Sequence, residues 1–296
     1  MVQAMMCPAE SLPASQRWCR EITRKHAKSF YFASFPLPQE KRRAAYAVYA
    51  FCRYADDLVD EAPPGSDIAA AVSSLEKTFD AIVHQGDRKL PFASAFADAV
   101  QRFRLEKLPF MELVEGVGRD QGPIRMQNWE ELRDYCYHVA SVVGLVMCPI
   151  LGLQDPAGNA RAIDLGIAMQ LTNILRDVGE DLQRDRIYLP ADELATFGLS
   201  EADLRRGLVD SRWIALMKFQ TERAETYYRS GESGIPLLAA DGSQLTVWLM
   251  RDIYADILRQ IEAIGYNSFQ RRAFTPLSRK LLLALAAWQK SRKLPK

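Results

Sequence analysis

Two stretches decide the fold: Tyr49-Ala-Phe-Cys-Arg53-Tyr-Ala-Asp56-Asp57-Leu-Val-Asp60 and Gln170-Leu-Thr-Asn173-Ile-Leu-Arg176-Asp177-Val-Gly-Glu180-Asp181. Both close long apolar, helix-like segments, and in each a pair of aspartates stands four positions apart. That spacing puts the pair on one helical face, about 6 Å apart along the axis. Carboxylates so placed repel each other and face the negative end of the helix macrodipole. A bound divalent cation compensates for a cost that the chain incurs twice. Carboxylate oxygens shared with phosphate oxygens and water are ligands of the Mg²⁺ type, with Mn²⁺ as its close substitute. The expectation is a helical enzyme that holds a diphosphate through metal ions clamped between two facing acidic helices.

Each acidic pair continues a longer polar stripe. Tyr49, Arg53, Asp56 and Asp60 follow at steps of four, three and four. Arg53 either neutralises the acids one turn away or forks its guanidinium onto diphosphate oxygens. Asp57 points about 100° away from Asp56, as a supporting residue would. In the second stretch Gln170, Asn173, Asp177 and Asp181 share a face, with Arg176 beside them. Amides inside an apolar helix need partners. They form either a polar network that ties helices together, or a ligand (Asn173) and a cavity-lining group (Gln170).

The composition, 296 residues with 48% hydrophobic, 25% charged and net charge +1, is that of a globular chain with a sizeable core. Near-neutral charge argues against a nucleic-acid partner. Cys7, Cys19, Cys52, Cys136 and Cys148 form no CxxC pair and read as reduced thiols of a cytoplasmic protein. The longest apolar runs, 142–153 and 281–288, fall short of a membrane span, and the N-terminus lacks the pattern of a signal peptide. From Ala263 onward there is no acidic residue, but Arg271, Arg272, Arg279, Lys280, Lys290, Arg292, Lys293 and Lys296 are basic. Three readings stand: a solvated terminal helix, diphosphate contacts from the first four, or a peripheral membrane-surface patch from the last four.

Helical periodicity dominates throughout. Helices are expected over 14–34, 39–61, 66–85, 92–106, 108–120, 128–151, 157–184, 200–207, 209–231, 243–266 and 276–293. The breakers between them are Pro36, Pro63-Pro64-Gly65, Gly122-Pro123, Pro156, Pro190, Pro236 and Pro276. No linker or repeat interrupts the chain, so residues 1–296 read as a single all-α domain. Helices 39–61, 128–151 and 157–184 are apolar nearly all round, which places them in the middle of a bundle. His26, His84 and His138 lack mutual metal-ligand spacing, and His138 reads as a hydrogen-bonded core histidine. Gly116-Val-Gly118-Arg-Asp-Gln-Gly122 follows a helix and is not a dinucleotide fingerprint, so no motif supports NADPH.

With these residues in view, the chain resembles the squalene/phytoene synthase family of head-to-head (1′–1) prenyl transferases, and its bacterial phytoene-synthase-like members in particular. The resemblance rests on Lys25-His-Ala-Lys28-Ser29-Phe30-Tyr31, the two acidic stretches with the trailing Arg186-Ile-Tyr188-Leu-Pro190, Tyr135-Cys-Tyr-His-Val139-Ala140-Ser-Val-Val143-Gly144, and Tyr266-Asn-Ser-Phe269-Gln-Arg271-Arg272 with Lys280. It implies an isoprenoid-synthase helical bundle around a central cavity and Mg²⁺-dependent ionisation of an allylic prenyl diphosphate. By position, Asp56, Asp60, Asp177 and Asp181 with Asn173 would hold metal. Lys28, Ser29 and Arg53 would contact diphosphate, with Arg176, Arg271, Arg272 and Tyr254 as further contacts. Tyr135 and Gln170 would face the carbocation, and Phe30, Ser34, Tyr49, Val139, Ala140, Val143 and Gly144 would border the prenyl chain. A dry apolar cavity and aromatic faces suit such a cation.

The resemblance leaves the product open between phytoene from geranylgeranyl diphosphate and a C30 product from farnesyl diphosphate: squalene, presqualene diphosphate or dehydrosqualene. Ser34 favours the longer substrate, because phytoene-forming relatives carry a small residue there and dehydrosqualene-forming ones can carry a bulky aromatic; Tyr46 could close the same path. By this reading Ser34→Phe shifts preference to farnesyl diphosphate. Two further classes stand as alternatives. One is a head-to-tail prenyl diphosphate synthase, against which the Asp177-Val-Gly-Glu-Asp181 form speaks. The other is a non-catalytic assembly factor of the same fold, against which the intact aspartates speak.

Overall fold

The computed structural model describes residues 11–60, 68–119 and 122–292, apart from the side chains of 59, 60, 68, 69 and 71. Side-chain expectations for Asp60, and those for Cys7, Lys293 and Lys296, lie outside the described residues. The helices are α1 (Leu12–His26), α2 (Lys28–Ala33), α3 (Gln39–Asp60), α4 (Ile68–Val83), α5 (Ala93–Phe103), α6 (Leu108–Gly118), α7 (Trp129–Cys136), α8 (Val142–Leu151) and α9 (Gly158–Gln183). They continue as α10 (Ala191–Thr196), α11 (Glu201–Arg206), α12 (Ser211–Glu232), α13 (Ser243–Ala263) and α14 (Leu277–Ser291). The contacts gather into two compact units that the chain visits repeatedly. Among the described residues, the first takes those of 1–121, 142–156 and 237–246, and the second those of 122–141, 157–236 and 247–296.

The first unit is built on α3. Its alanines Ala44, Ala45, Ala47, Ala50 and Ala55 are buried and let neighbouring helices approach. Around Phe51 lies a knot of rings. Phe96 stacks on it at 4.6 Å, and Phe79, Phe92 and Phe110 meet it edge-on at 5.4–6.3 Å. Such offset and edge contacts suit the ring quadrupoles. Val146 and Ile150 of α8 enter the same core. The single helix expected over 14–34 is broken at Ala27 (φ −124°, ψ 57°), where no proline or glycine marks the bend.

The second unit is built on α9 and α12. Thr172 and Tyr228, both fully buried, share a hydrogen bond of 2.9 Å. Trp213 donates its indole N–H to the Tyr266 carbonyl at 2.8 Å. The expected helix 128–151 contains a π-helical turn at Tyr137–Ser141, held by Ser141 Oγ donating to the Ile163 carbonyl at 2.8 Å. By length and composition the run Trp129–Leu151 could cross a membrane, contrary to the reading of its apolar stretch as too short. Leu132, Tyr135, Cys136, Ser141 and Val142 within it are nevertheless buried in protein.

Two features escape the helical pattern. Strands of two residues, β1 (Ile124–Arg125) and β2 (Arg186–Ile187), pair in parallel. Arg125 clamps them through Asp185 (2.6 Å) and Glu201 (2.8 Å). The described cysteines Cys19, Cys52, Cys136 and Cys148 are free thiols, and burial pushes that of Cys148 up to about 11.

Candidate active site

In the first unit, α2 and the middle of α3 bring together several of the sequence-expected residues. Phe30 packs on Tyr46 (6.2 Å, edge-on) and on Tyr49 (6.1 Å). Ser34 does not open a space. It is fully buried, and its hydroxyl bonds the Tyr31 carbonyl at 2.8 Å and the Tyr46 hydroxyl at 2.7 Å. Lys28 is exposed, Ser29 and Asp56 are half-buried, and Val143 and Gly144 are half-buried on α8.

Arg53 pairs with Asp57 one turn on, not with the outward stripe alone. Asp57 is 2% exposed. One atom on each side, Arg53 Nε and Asp57 Oδ2, is buried without a hydrogen-bond partner, which leaves the pair under-satisfied. His26 belongs to this cluster, and the sequence reading missed it. Its Nε2 is buried and unpartnered. Burial first, then the charges of Arg53 and Lys25, hold the imidazole below its ordinary range, so it is neutral at neutral pH. The only signal was its place two residues before Lys28 in the matched stretch.

In the second unit the stripe on α9 is formed as expected. Asn173 donates its amide to Gln170 Oε1 at 3.3 Å, which leaves the Asn173 carbonyl oxygen for a ligand. Asp177 is 17% exposed and lies between two guanidinium groups. Arg176 donates Nε to Oδ1 at 2.8 Å and Nη2 to Oδ2. Arg272 donates Nε to Oδ1 at 2.8 Å and Nη2 to Oδ2 at 3.3 Å. Burial raises the Asp177 pKa, but these bonds and charges outweigh it and hold the carboxyl below the usual range. Tyr254 lies within reach of all three charges. Burial pushes its phenol up, against the pull of Arg176. Tyr135 is buried and stacks on Tyr188 at 4.9 Å. Val139 and Ala140 are half-buried in the π turn, and Arg271 is exposed. Asp181 borders a small recess with Ile174, Val178, Tyr188 and Leu204.

Gly179, inside the second acidic stretch, has a tertiary task. Its N–H donates to the Ser268 carbonyl at 3.1 Å. A Cβ there would lie 2.2 Å from the Phe269 carbonyl oxygen. The glycine therefore seats the 266–272 segment against α9 and brings Arg272 onto Asp177.

The donor set suits a hard divalent cation: amide and carboxylate oxygens at 173, 177 and 181 on one helical face. No cluster of three or more His, Cys, Asp or Glu side chains suited to a metal is assembled among the described residues. The Asp177 carboxylate is engaged by arginines, and the Asp60 side chain lies outside that set.

An all-α chain with two carboxylate-bearing polar stripes on buried helices defines the isoprenoid-synthase fold class. Residues 23–279 match the family model described as squalene/phytoene synthase, and the chain belongs to that family of prenyl transferases. It is 39% identical to the 15-cis-phytoene synthase of Synechocystis sp. over 95% of this chain and 86% of that protein. It is also 39% identical to the 15-cis-phytoene synthase of Synechococcus elongatus, over 92% and 91%. Among solved structures it is similar to a dehydrosqualene synthase crystallised in complex with ligand: 30% identity, TM-score 0.86, 97% and 99% coverage. It is likewise similar to the squalene synthase HpnC from Alicyclobacillus acidocaldarius (29%, TM-score 0.78, 88% and 98%).

Proposed function

We propose that the enzyme condenses two molecules of geranylgeranyl diphosphate head to head into phytoene. The observation that carries this is the 39% identity, over nearly the whole chain, to two phytoene synthases, with both acidic stripes intact. The first half-reaction joins two allylic units with loss of one diphosphate and one proton and gives a cyclopropylcarbinyl diphosphate. The second loses the other diphosphate, rearranges, and ends by releasing a proton, so it draws on no reductant. In the second unit Asn173, Asp177 and Asp181 would hold Mg²⁺, which when bound neutralises charge on the leaving diphosphate, and in the first Asp56 and Asp60 offer donors of the same kind. Arg53, Lys28 and Ser29 supply charge and hydrogen bonds to diphosphate oxygens. Neutral His26 beside Arg53 adds no competing positive charge at neutral pH. Incubation with geranylgeranyl or farnesyl diphosphate, with and without NADPH, tests the reading by mass identification of the extract. A forty-carbon hydrocarbon that forms without NADPH supports it, and a preferred thirty-carbon product overturns it.

A membrane-surface site of action accompanies this reading and rests on α14. Leu277, Leu281, Leu285 and Trp288 form one stripe, with Leu282 and Phe274 beside it, and all are 45–69% exposed. The basic residues are less available than the sequence suggested. Lys290 lies 2.9 Å from both Asp252 oxygens, and Arg279 is paired with the fully buried Asp256. The occupant we assign is a lipid surface, because an all-hydrocarbon product needs an apolar phase. Flotation with liposomes that Leu281→Glu abolishes supports this, and cosedimentation equal in wild type and variant contradicts it.

A further inference from the structure

The Asp177 carboxylate is saturated. A carboxylate offers about four lone-pair sites, and here each oxygen accepts one bond from Arg176 and one from Arg272. A metal ion cannot coordinate Asp177 until one guanidinium withdraws. The two are not equivalent. Arg176 is adjacent on the same helix and 15% exposed, so its release would leave a poorly solvated charge. Arg272 is 54% exposed, on the non-helical segment before α14, and Glu180 holds it from the other side at 3.2 Å.

We propose that Arg272 is an exchangeable counter-ion: it occupies Asp177 in the free enzyme, yields that carboxylate to the metal, and transfers its guanidinium to the diphosphate that arrives with the metal. This rests on the metal–diphosphate reading above and adds an order to it. Metal alone must displace Arg272 and leave two cations side by side. Metal with diphosphate gives Arg272 a new acceptor of matching fork geometry. The two ligands are then positively coupled, each tightening the other by the same factor. Arg272 is in this sense a positioning residue whose partner changes on binding.

The test is calorimetric titration of the full chain with Mg²⁺ alone, with inorganic pyrophosphate alone, and with both. Arg272→Gln is compared with Arg271→Gln, which removes the same charge from the neighbouring exposed residue. Exchange predicts that Arg272→Gln binds Mg²⁺ alone about fivefold more tightly than wild type, as expected for loss of a competing ion pair. It also predicts weaker coupling to pyrophosphate in that variant, and Arg272→Lys, with one point charge and no fork, should fall between. Equal Mg²⁺ affinity in Arg272→Gln and wild type overturns the exchange, as does an equal gain in Arg271→Gln. Wild type that binds neither Mg²⁺ nor the Mg²⁺–pyrophosphate pair overturns the metal–diphosphate reading itself, and the exchange with it.

Discussion

Replacing Gly179 with alanine isolates the contact that seats the arginine-bearing segment on the acidic helix. The new methyl carbon would stand 2.2 Å from the Phe269 carbonyl oxygen and 2.8 Å from its carbon, so backbone must move. The segment is not free to give way. Trp213 Nε1 holds the Tyr266 carbonyl at 2.8 Å, and the Trp213 and Phe269 rings lie 4.4 Å apart. Overpacking of this kind costs about 1–3 kcal/mol. Weakening the Gly179–Ser268 hydrogen bond adds about 1 kcal/mol. Alanine's better helix propensity returns about 1 kcal/mol. The net is a destabilisation of about 1–3 kcal/mol, which at roughly 2 °C per kcal/mol for a chain of this length lowers Tm by about 2–6 °C. Displacement of Arg272 should then reduce affinity for the Mg²⁺–pyrophosphate pair by more than the stability loss explains. Thermal melts and titration on the same preparation check both. A variant with wild-type Tm and wild-type pyrophosphate affinity would refute the reasoning, since it would mean that α9 and the 266–272 segment are not in contact as described.

Three further outcomes are expected. The hydrogen bonds from Ser200, with Arg206 beside it, hold the Asp203 carboxyl well below its ordinary range. A depressed carboxylate stabilises fully above its unfolded pKa of about 4 and loses that contribution as pH falls through the folded value. The Tm gap between wild type and Asp203→Asn should therefore be constant above about pH 5 and close below about pH 4, and a gap unchanged down to pH 2 would contradict the assignment. Ser34→Phe should destabilise the protein before it alters substrate length, because a ring replaces a fully buried hydroxyl bonded to Tyr46. Ser34→Ala should cost about 1–2 kcal/mol. A Ser34→Phe protein with wild-type Tm and a new preference for farnesyl diphosphate would restore the simpler view of Ser34 as an open wall.

What the sequence made legible was local. Step sizes of three and four placed Tyr49, Arg53 and Asp56 on one face and Gln170, Asn173, Asp177 and Asp181 on another, and α3 and α9 carry them as such. Helical period and breakers located most helices, because they depend on neighbours in the chain. The features that were missed depend on partners far along it. Arg272 meets Asp177 across 95 positions. Gly179 looks like an ordinary helix interruption until Phe269 is placed against it. The break at Ala27 and the π turn at 137–141 carry no proline or glycine to announce them, and paired strands of two residues are too short to show alternation. The reading of Ser34 as room for a chain treated a small side chain as a space, whereas Tyr46 reaches it with a hydrogen bond.

Head-to-head union of two geranylgeranyl diphosphates leaves its mark in the position of a label. Geranylgeranyl diphosphate carrying ¹³C only at C1 is incubated with the enzyme and Mg²⁺, and the extracted product is examined by ¹³C NMR. Head-to-head union gives a phosphorus-free forty-carbon hydrocarbon with both labels in its central double bond, equivalent by symmetry. One enriched olefinic ¹³C resonance therefore appears, and the attached protons show the second-order pattern of a doubly labelled HC=CH unit. A longer diphosphate in which the labelled carbons are separated would contradict it, as would the recovery of unchanged substrate from active-site-competent, metal-saturated protein.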